Sequence, residues 1–288
     1  IKDIDKDKLY EFLREMEFSR LLSQAISFYG DPDNESSSVE TKSKKISRID
    51  TKSYKSILNE KELNELIKNL NEKSIIAVDT ETSSINPQEA KLIGISISYG
   101  TNIAFYIPLG HKNTKGLKKD LVLDKLKKIL EDPSIKKVCQ NTKYDFIIFK
   151  NYGIELNPVE DTMLLSYTLD AGNNRHNMDT LAELHLGHKT ISYKDVVGTG
   201  KKQLNFSEVD LKTATEYAAE DADVTLRLYK ILSERVAEEK LEKIYEVFEK
   251  PMIKILSKLE TNGIKVDDAY LKKLSKKFEN RLIKIEKD

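Results

Sequence analysis

The sequence holds one cysteine in 288 residues, four histidines, no wholly apolar run longer than a few residues, and no excess of charge of either sign. Cys139 has no partner for an internal disulfide, which fits a reducing cytosol. It lies in "IKKVCQ", a short strand by its pattern, and with no base to pair with it reads as a core thiol rather than a nucleophile. Apolar runs such as "IIAV" (Ile75 to Val78) fall far short of the ~20 residues of a membrane span, and no charged-then-apolar signal segment opens the chain. Lys+Arg and Asp+Glu are 48 each, a balance that argues against indiscriminate coating of nucleic acid. It does not exclude a nucleic-acid enzyme, because carboxylates can meet phosphates through bound cations. His111, His176, His185 and His188 are scattered and with one cysteine make no zinc set. What remains is a soluble globular protein, 39% hydrophobic, with enough apolar content for one large domain or two smaller ones.

The pattern along the chain changes three times. Leu9, Phe12, Leu13, Met16, Leu21 and Leu22 recur at helical spacing. A stretch rich in Ser, Asp, Asn and Lys follows, "YGDPDNESSSVETKSKK", which reads as a linker or solvated loop. From Lys52 the pattern is α/β. It predicts a helix in "LNEKELNELIKNLNE", strands near 74–80, 91–98 and 103–108 with "SSINPQ" as a hairpin-like turn, a helix near 120–131 and the strand "KKVC". Hairpin strands followed by strand–helix alternation predict a mixed sheet with helices on its faces. Beyond Asn141 the chain reads as mostly helical to Val236. After Leu241 come a helix ended by Asn262-Gly263, a short extended piece and a lysine-rich helix with no core of their own.

Acids recur at particular places in this pattern. "VDTETSSI" puts Asp79 and Glu81 on one face of a central strand, since side chains alternate. Two carboxylates there repel each other unless something positive lies between them; the alternative is a strand running out into a polar turn. In "CQNTKYDFIIFKNYG", Asn141 is a candidate helix cap and Asp145 falls in the opening turn, at a sheet edge where ligands bind. An acid there also simply complements a helix N-terminus. In "EYAAEDADV", Tyr217 and Asp221 are four residues apart and share a helix face. Asp223 lies about 200° round from Asp221 and should point elsewhere. A solvated acidic face would explain the four acids of this stretch but not the apolar "YAA" among them.

Taken in order, Asp-x-Glu, Asn-x-x-x-Asp and Tyr-x-x-x-Asp resemble the DEDD family of 3′–5′ exonucleases, in the subclass with tyrosine in the third motif. "VDTETSSI", "QNTKYD", "DTMLLSYTLD", "RHNMDTLAE", "HKTISYKDV" and "YAAEDADVTL" resemble the proofreading domain of bacterial DNA polymerase I. The resemblance implies an α/β, ribonuclease H-like mixed sheet over residues 52–240. It also implies a remnant of a 5′ nuclease domain over 1–24, a linker over 25–51, and the truncated start of a polymerase domain over 241–288 ("EKPMIKILSKLETNGIKVD"). The polymerase's own catalytic motifs are absent, so the expected piece is an exonuclease without nucleotide addition.

The same resemblance implies two divalent cations, Mg2+ or Mn2+, which suit oxygen ligands and together activate water and stabilise a leaving oxygen. Asp79, Glu81 and Asp221 would hold the first, with Asp79 bridging to a second that Asp145 reaches partly through water. Tyr217, with Glu81, would orient the attacking water. Ile85 and Tyr193, where the family more often has leucine and phenylalanine, would wedge bases apart. Gln140, Asn141, Tyr144 and Arg175 would contact the strand. The expected partner is single-stranded or frayed DNA, bound by a monomer without a membrane. Two rival readings are a ribonuclease D-like enzyme trimming RNA 3′ ends and a catalytically silent scaffold of the polymerase.

Overall fold

The apolar, β-branched runs "IIAV" and "LIGISIS" form the two central strands, β2 (Ile75–Thr82) and β3 (Leu92–Gly100). The computed structural model describes residues 4–16, 18, 21–22, 25–26, 29, 48–200 and 203–287. The sheet is completed by β1 (Lys55–Ser56), β4 (Ile103–Pro108), β5 (Lys136–Cys139) and β6 (Val159–Asp161), in the order β1-β4-β3-β2-β5-β6. β2, β3 and β4 form an antiparallel meander, whereas β1 joins β4 and β5 joins β2 in parallel, as does β6 with β5. The sheet is mixed, as the alternation predicted, but has six strands where the pattern showed four: β1, of two residues, and β6 were not read. β6 departs from the helical reading beyond Asn141: three residues are too few to show a period of two.

One face of the sheet is covered by α2 (Glu60–Leu70), α3 (Lys119–Leu130) and α4 (Thr142–Asn151). Asn59 caps α2 by accepting from the Glu62 N–H at 3.0 Å, and Leu63, Leu66 and Leu70 point inward from it. Burying each is worth roughly 1.5–3 kcal/mol. They meet Ile76, Val78, Leu126 and Phe149 in the larger core.

The other face is covered by the 28-residue helix α8 (Leu211–Glu238), which Asp210 caps through the Thr213 N–H. Ala214, Ala218, Ala219 and Ala222 are wholly buried. These small residues let α8 lie close against β2, β3 and β4, near enough for a short carboxylate to reach the sheet. Packed against α8 are α5 (Thr162–Asp170), α6 (Met178–Leu186) and α7 (Tyr193–Val197).

At the N-terminal end, α1 (Lys6–Glu15) buries Tyr10 and Leu13; most of the expected linker lies outside the described residues. At the other end, α9 (Lys250–Asn262) stops at Gly263, whose φ of 68° favours glycine. This helix does share a core, since Ile253 packs into the main cluster beside α4 and Lys250 pairs with buried Glu160 at 2.9 Å. The final helix, α10 (Asp268–Lys287), buries no residue. Among the described residues no helix is long and apolar enough to cross a membrane.

Candidate active site

The pleat decides which way the central acids point. Ala77 packs into the core beneath α8, so Asp79 and Glu81, two and four residues on, face the same helix. Across the sheet Asp79 lies opposite Ser96, and Glu81 opposite Gly94. From above, α8 presents Tyr217 and Asp221 one turn apart. One carboxylate oxygen from each of Asp79, Glu81 and Asp221 lies within 4.8 Å of the others. Glu81 and Asp221 are buried and Asp79 partly so.

Such crowding raises the affinity of each group for a proton. Asp79 is pushed up from 3.8 to about 6, chiefly by burial. Glu81 and Asp221 are raised well above the usual carboxylate range, by burial first and by the Asp79 charge second. Among the described residues no lysine or arginine is a leading influence on these three acids. The cluster thus lacks internal charge compensation, and its all-oxygen donor set suits a hard divalent cation.

Asp145 occupies the opening turn of α4 on the opposite face, and it lies outside this three-acid cluster. Its Oδ1 accepts from Thr80 Oγ1 at 2.6 Å; Thr80 is the residue between the two strand acids, pointing the other way. Burial and then the Asp79 charge raise its pKa as well, so the two carboxylates sense each other. Asn141 does not cap α4 with its side chain: its backbone is left-handed, at φ 63°. The cap comes from Asp161 at the end of β6, whose carboxylate accepts from the Thr142 N–H at 2.8 Å and the Asn141 N–H at 3.2 Å. A local motif could not reveal a cap supplied twenty residues away.

The solvated acidic face considered for α8 is not what forms. Glu220, Asp221 and Asp223 are all buried, each with its own surroundings. Asp223 points away from the cluster, pairing with Arg227 at 2.9 Å and accepting from the Tyr54 hydroxyl at 2.8 Å. Tyr217 is half-buried among aromatic rings, with Phe206 at 5.9 Å and Tyr193 at 6.0 Å between centroids. Burial and the charges of Asp221, Glu81 and Asp79 push its phenol far up, so it stays a neutral hydrogen-bonding group.

Of the residues expected to meet the strand, Ile85 is 97% exposed and Tyr193 42%. Asn141 and Arg175 are exposed. Gln140 and Tyr144 are instead engaged inside the fold. The Gln140 amide donates to the His176 carbonyl and accepts from the Thr162 hydroxyl, while the Tyr144 hydroxyl bonds Thr82 and the Ser84 carbonyl.

Gly94 and Tyr106 escaped sequence reasoning, although a glycine within the strand run "LIGISIS" signals close approach. A Cβ at Gly94 would lie 2.1 Å from the Tyr106 hydroxyl oxygen. Tyr106 is fully buried and its hydroxyl bonds His111 Nε2 at 2.7 Å, with His111 Nδ1 on the Val209 carbonyl. Gly94→Ala must therefore displace a fixed ring beside Glu81. We expect a loss of roughly 1–3 kcal/mol in stability, read by urea unfolding; unchanged stability would show that Tyr106 moves freely.

The sheet order, the flanking helices and the carboxylate cluster define a ribonuclease H-like 3′–5′ exonuclease fold. Comparison with known proteins narrows this. The sequence profile of the family described as 3′–5′ exonuclease of DNA polymerase A matches residues 54–237, and the chain belongs to that family. DNA polymerase I of Rhizobium leguminosarum is 45% identical over 224 residues, which cover 70% of this chain and 22% of the relative. The chain thus spans about a quarter or less of the length of that polymerase. Among solved structures, the POL domain of Pol1 from M. smegmatis has a TM-score of 0.62 at 20% identity, covering 78% of this chain and 35% of that one. Escherichia coli RNase D has a TM-score of 0.54 at 20% identity, covering 72% and 51%. These two show a shared fold.

Proposed function

We propose that this chain removes nucleotides from the 3′ end of DNA by hydrolysing the terminal phosphodiester. The observation that carries the reading is the uncompensated cluster of Asp79, Glu81 and Asp221 beneath the Tyr217 phenol. Asp79, Glu81 and Asp221 would hold one divalent cation, and Asp145, kept in place by Thr80, would contribute to a second. Bound there, such cations supply Lewis-acid activation of water and stabilisation of the leaving 3′ oxygen. The protein's own part is orientation. Glu81 accepts from the attacking water and the Tyr217 hydroxyl fixes its direction, in line with the P–O3′ bond that breaks. Ile85 and Tyr193 offer exposed apolar surface on which bases stack without regard to sequence. Asn141 and Arg175 would bind the strand through exposed side chains. Gln140 and Tyr144 would act by shaping its floor.

The test is stepwise shortening of 5′-labelled DNA in Mg2+, with release of nucleoside monophosphates from 3′-labelled DNA, beside RNA of the same sequence. Single-stranded DNA and mismatched ends should be digested faster than matched ends, because melting a paired end costs a few kcal/mol. Faster digestion of RNA than of DNA would favour the ribonuclease reading, which the fold shared with RNase D alone keeps in view. Absence of Mg2+-dependent release would make the domain a silent scaffold.

The raised carboxylates give this reading a pH signature. A carboxyl whose pKa is higher folded than unfolded binds more protons in the folded state, so stability falls as pH rises through that interval. For Asp79 the interval runs from 3.8 to about 6. The metal-free protein should therefore lose stability across it. Divalent cations, competing with those protons, should raise Tm by several degrees at pH 8 and by little at pH 4.5. Thermal scans with Mn2+ or EDTA at both values check this; an equal rise at both would separate cation binding from the cluster.

A further inference from the structure

We infer that Glu220 is a positioning residue that sets where Tyr193 stands over the carboxylate cluster, and thereby how a 3′ end is presented. The inference rests on the exonuclease reading above for its functional meaning. Glu220 immediately precedes Asp221 on α8 but faces another way, about 100° round. It is 1% exposed, and a carboxylate buried to that degree is costly unless its oxygens are bonded. Both are: His188 Nε2 lies 2.8 Å from Oε1, and the Ile191 N–H donates to Oε2 at 2.6 Å.

These two contacts hold one loop. Between them Thr190 donates to Asp179 Oδ1 on α6 at 2.6 Å, so residues 188–191 are fastened from both sides. Gly187 and Gly198, at φ 60° and 77°, bracket the segment and would let it swing if it were released. Tyr193 lies two residues beyond the Ile191 N–H, at most ~7 Å of backbone away. Its ring stacks on Phe206, with centroids 6.3 Å apart and planes at 9°, and meets Tyr217 edge-on at 6.0 Å. Helix α8 thus carries Tyr217, the anchor of the Tyr193 loop and Asp221 within five residues. The Tyr193 loop is thereby tied to the helix that carries Asp221.

A role through Tyr193 differs measurably from a role through Asp221. The experiment is a double-mutant cycle in the full chain, with Glu220→Ala and Glu220→Gln made in the parent and in Tyr193→Ala. Binding of a short single-stranded DNA is titrated in Ca2+, kcat and KM are measured in Mg2+, and Mn2+ affinity is measured without DNA. Glu220→Ala should weaken DNA binding and raise KM about tenfold in the parent, with kcat changed less than about threefold, and should have under about a twofold effect in the Tyr193→Ala background. Glu220→Gln, which keeps an acceptor for the Ile191 N–H, should lose less, and it carries the cycle if the alanine variant fails to fold. Mn2+ affinity should stay unchanged. Equal losses in both backgrounds, or a matching loss of Mn2+ affinity, would overturn the inference by showing that Glu220 acts elsewhere or through Asp221. A parent chain that lacks Mg2+-dependent release overturns the exonuclease reading instead, and the Ca2+ cycle still decides what Glu220 positions.

Discussion

Asp79→Asn is expected to lower the Mg2+-dependent rate by more than about a thousandfold, about 4 kcal/mol of barrier, while leaving a folded and, without metal, more stable protein. Asp79 contributes to the cluster with Glu81 and Asp221, and its charge is the largest electrostatic cause of the raised pKa of Glu81, Asp145 and Asp221 alike. No other carboxylate here acts on all the rest. An amide of the same shape keeps the packing, removes the anionic oxygen that would hold a cation and relieves three repulsions at once. Single-turnover cleavage of a 3′ single strand measures the first effect, and Tm in EDTA at pH 8 the second. A rate within tenfold of the parent would remove Asp79 from the chemistry. A lower Tm would mean that the crowded acids are balanced by contacts other than a bound cation.

The parts of this site that were legible in the sequence are those set by local periodicity. Asp79 and Glu81 share a face because strand side chains alternate, and Tyr217 meets Asp221 because residues four apart on a helix are neighbours. The same logic sent Asp223 away from the cluster, where it pairs with Arg227. The contacts that escaped join distant segments. Thr80 holds Asp145 across 65 residues, Asp161 caps α4 in place of Asn141, and Glu220 fastens His188 across 32. No periodic signal marks such pairs, since each depends on how the sheet orders its strands. β6 was missed for a related reason: its three residues are a strand only because β5 lies beside them.

Tyr217→Phe should slow hydrolysis on the order of a hundredfold, the lower end of what one preorganised hydrogen-bonding group contributes, while DNA affinity in Ca2+ changes less than about threefold. The substitution removes only the hydroxyl. The ring that packs on Phe206 and Tyr193 remains, so the stacking surface offered to a strand is kept. The hydroxyl lies in the field of Asp221, Glu81 and Asp79. These charges, with burial, hold it neutral, so in the proposed reaction it would act through hydrogen bonds rather than as a base. An interaction made mainly in the transition state lowers kcat without a matching loss of ground-state binding. Mn2+ affinity should change little, since the carboxylates that form the cluster stay. Single-turnover rates beside Ca2+ binding titrations separate these effects. Equal losses in rate and affinity would make Tyr217 a packing residue of the strand site, and an unchanged rate would leave the orientation of the water to Glu81 alone.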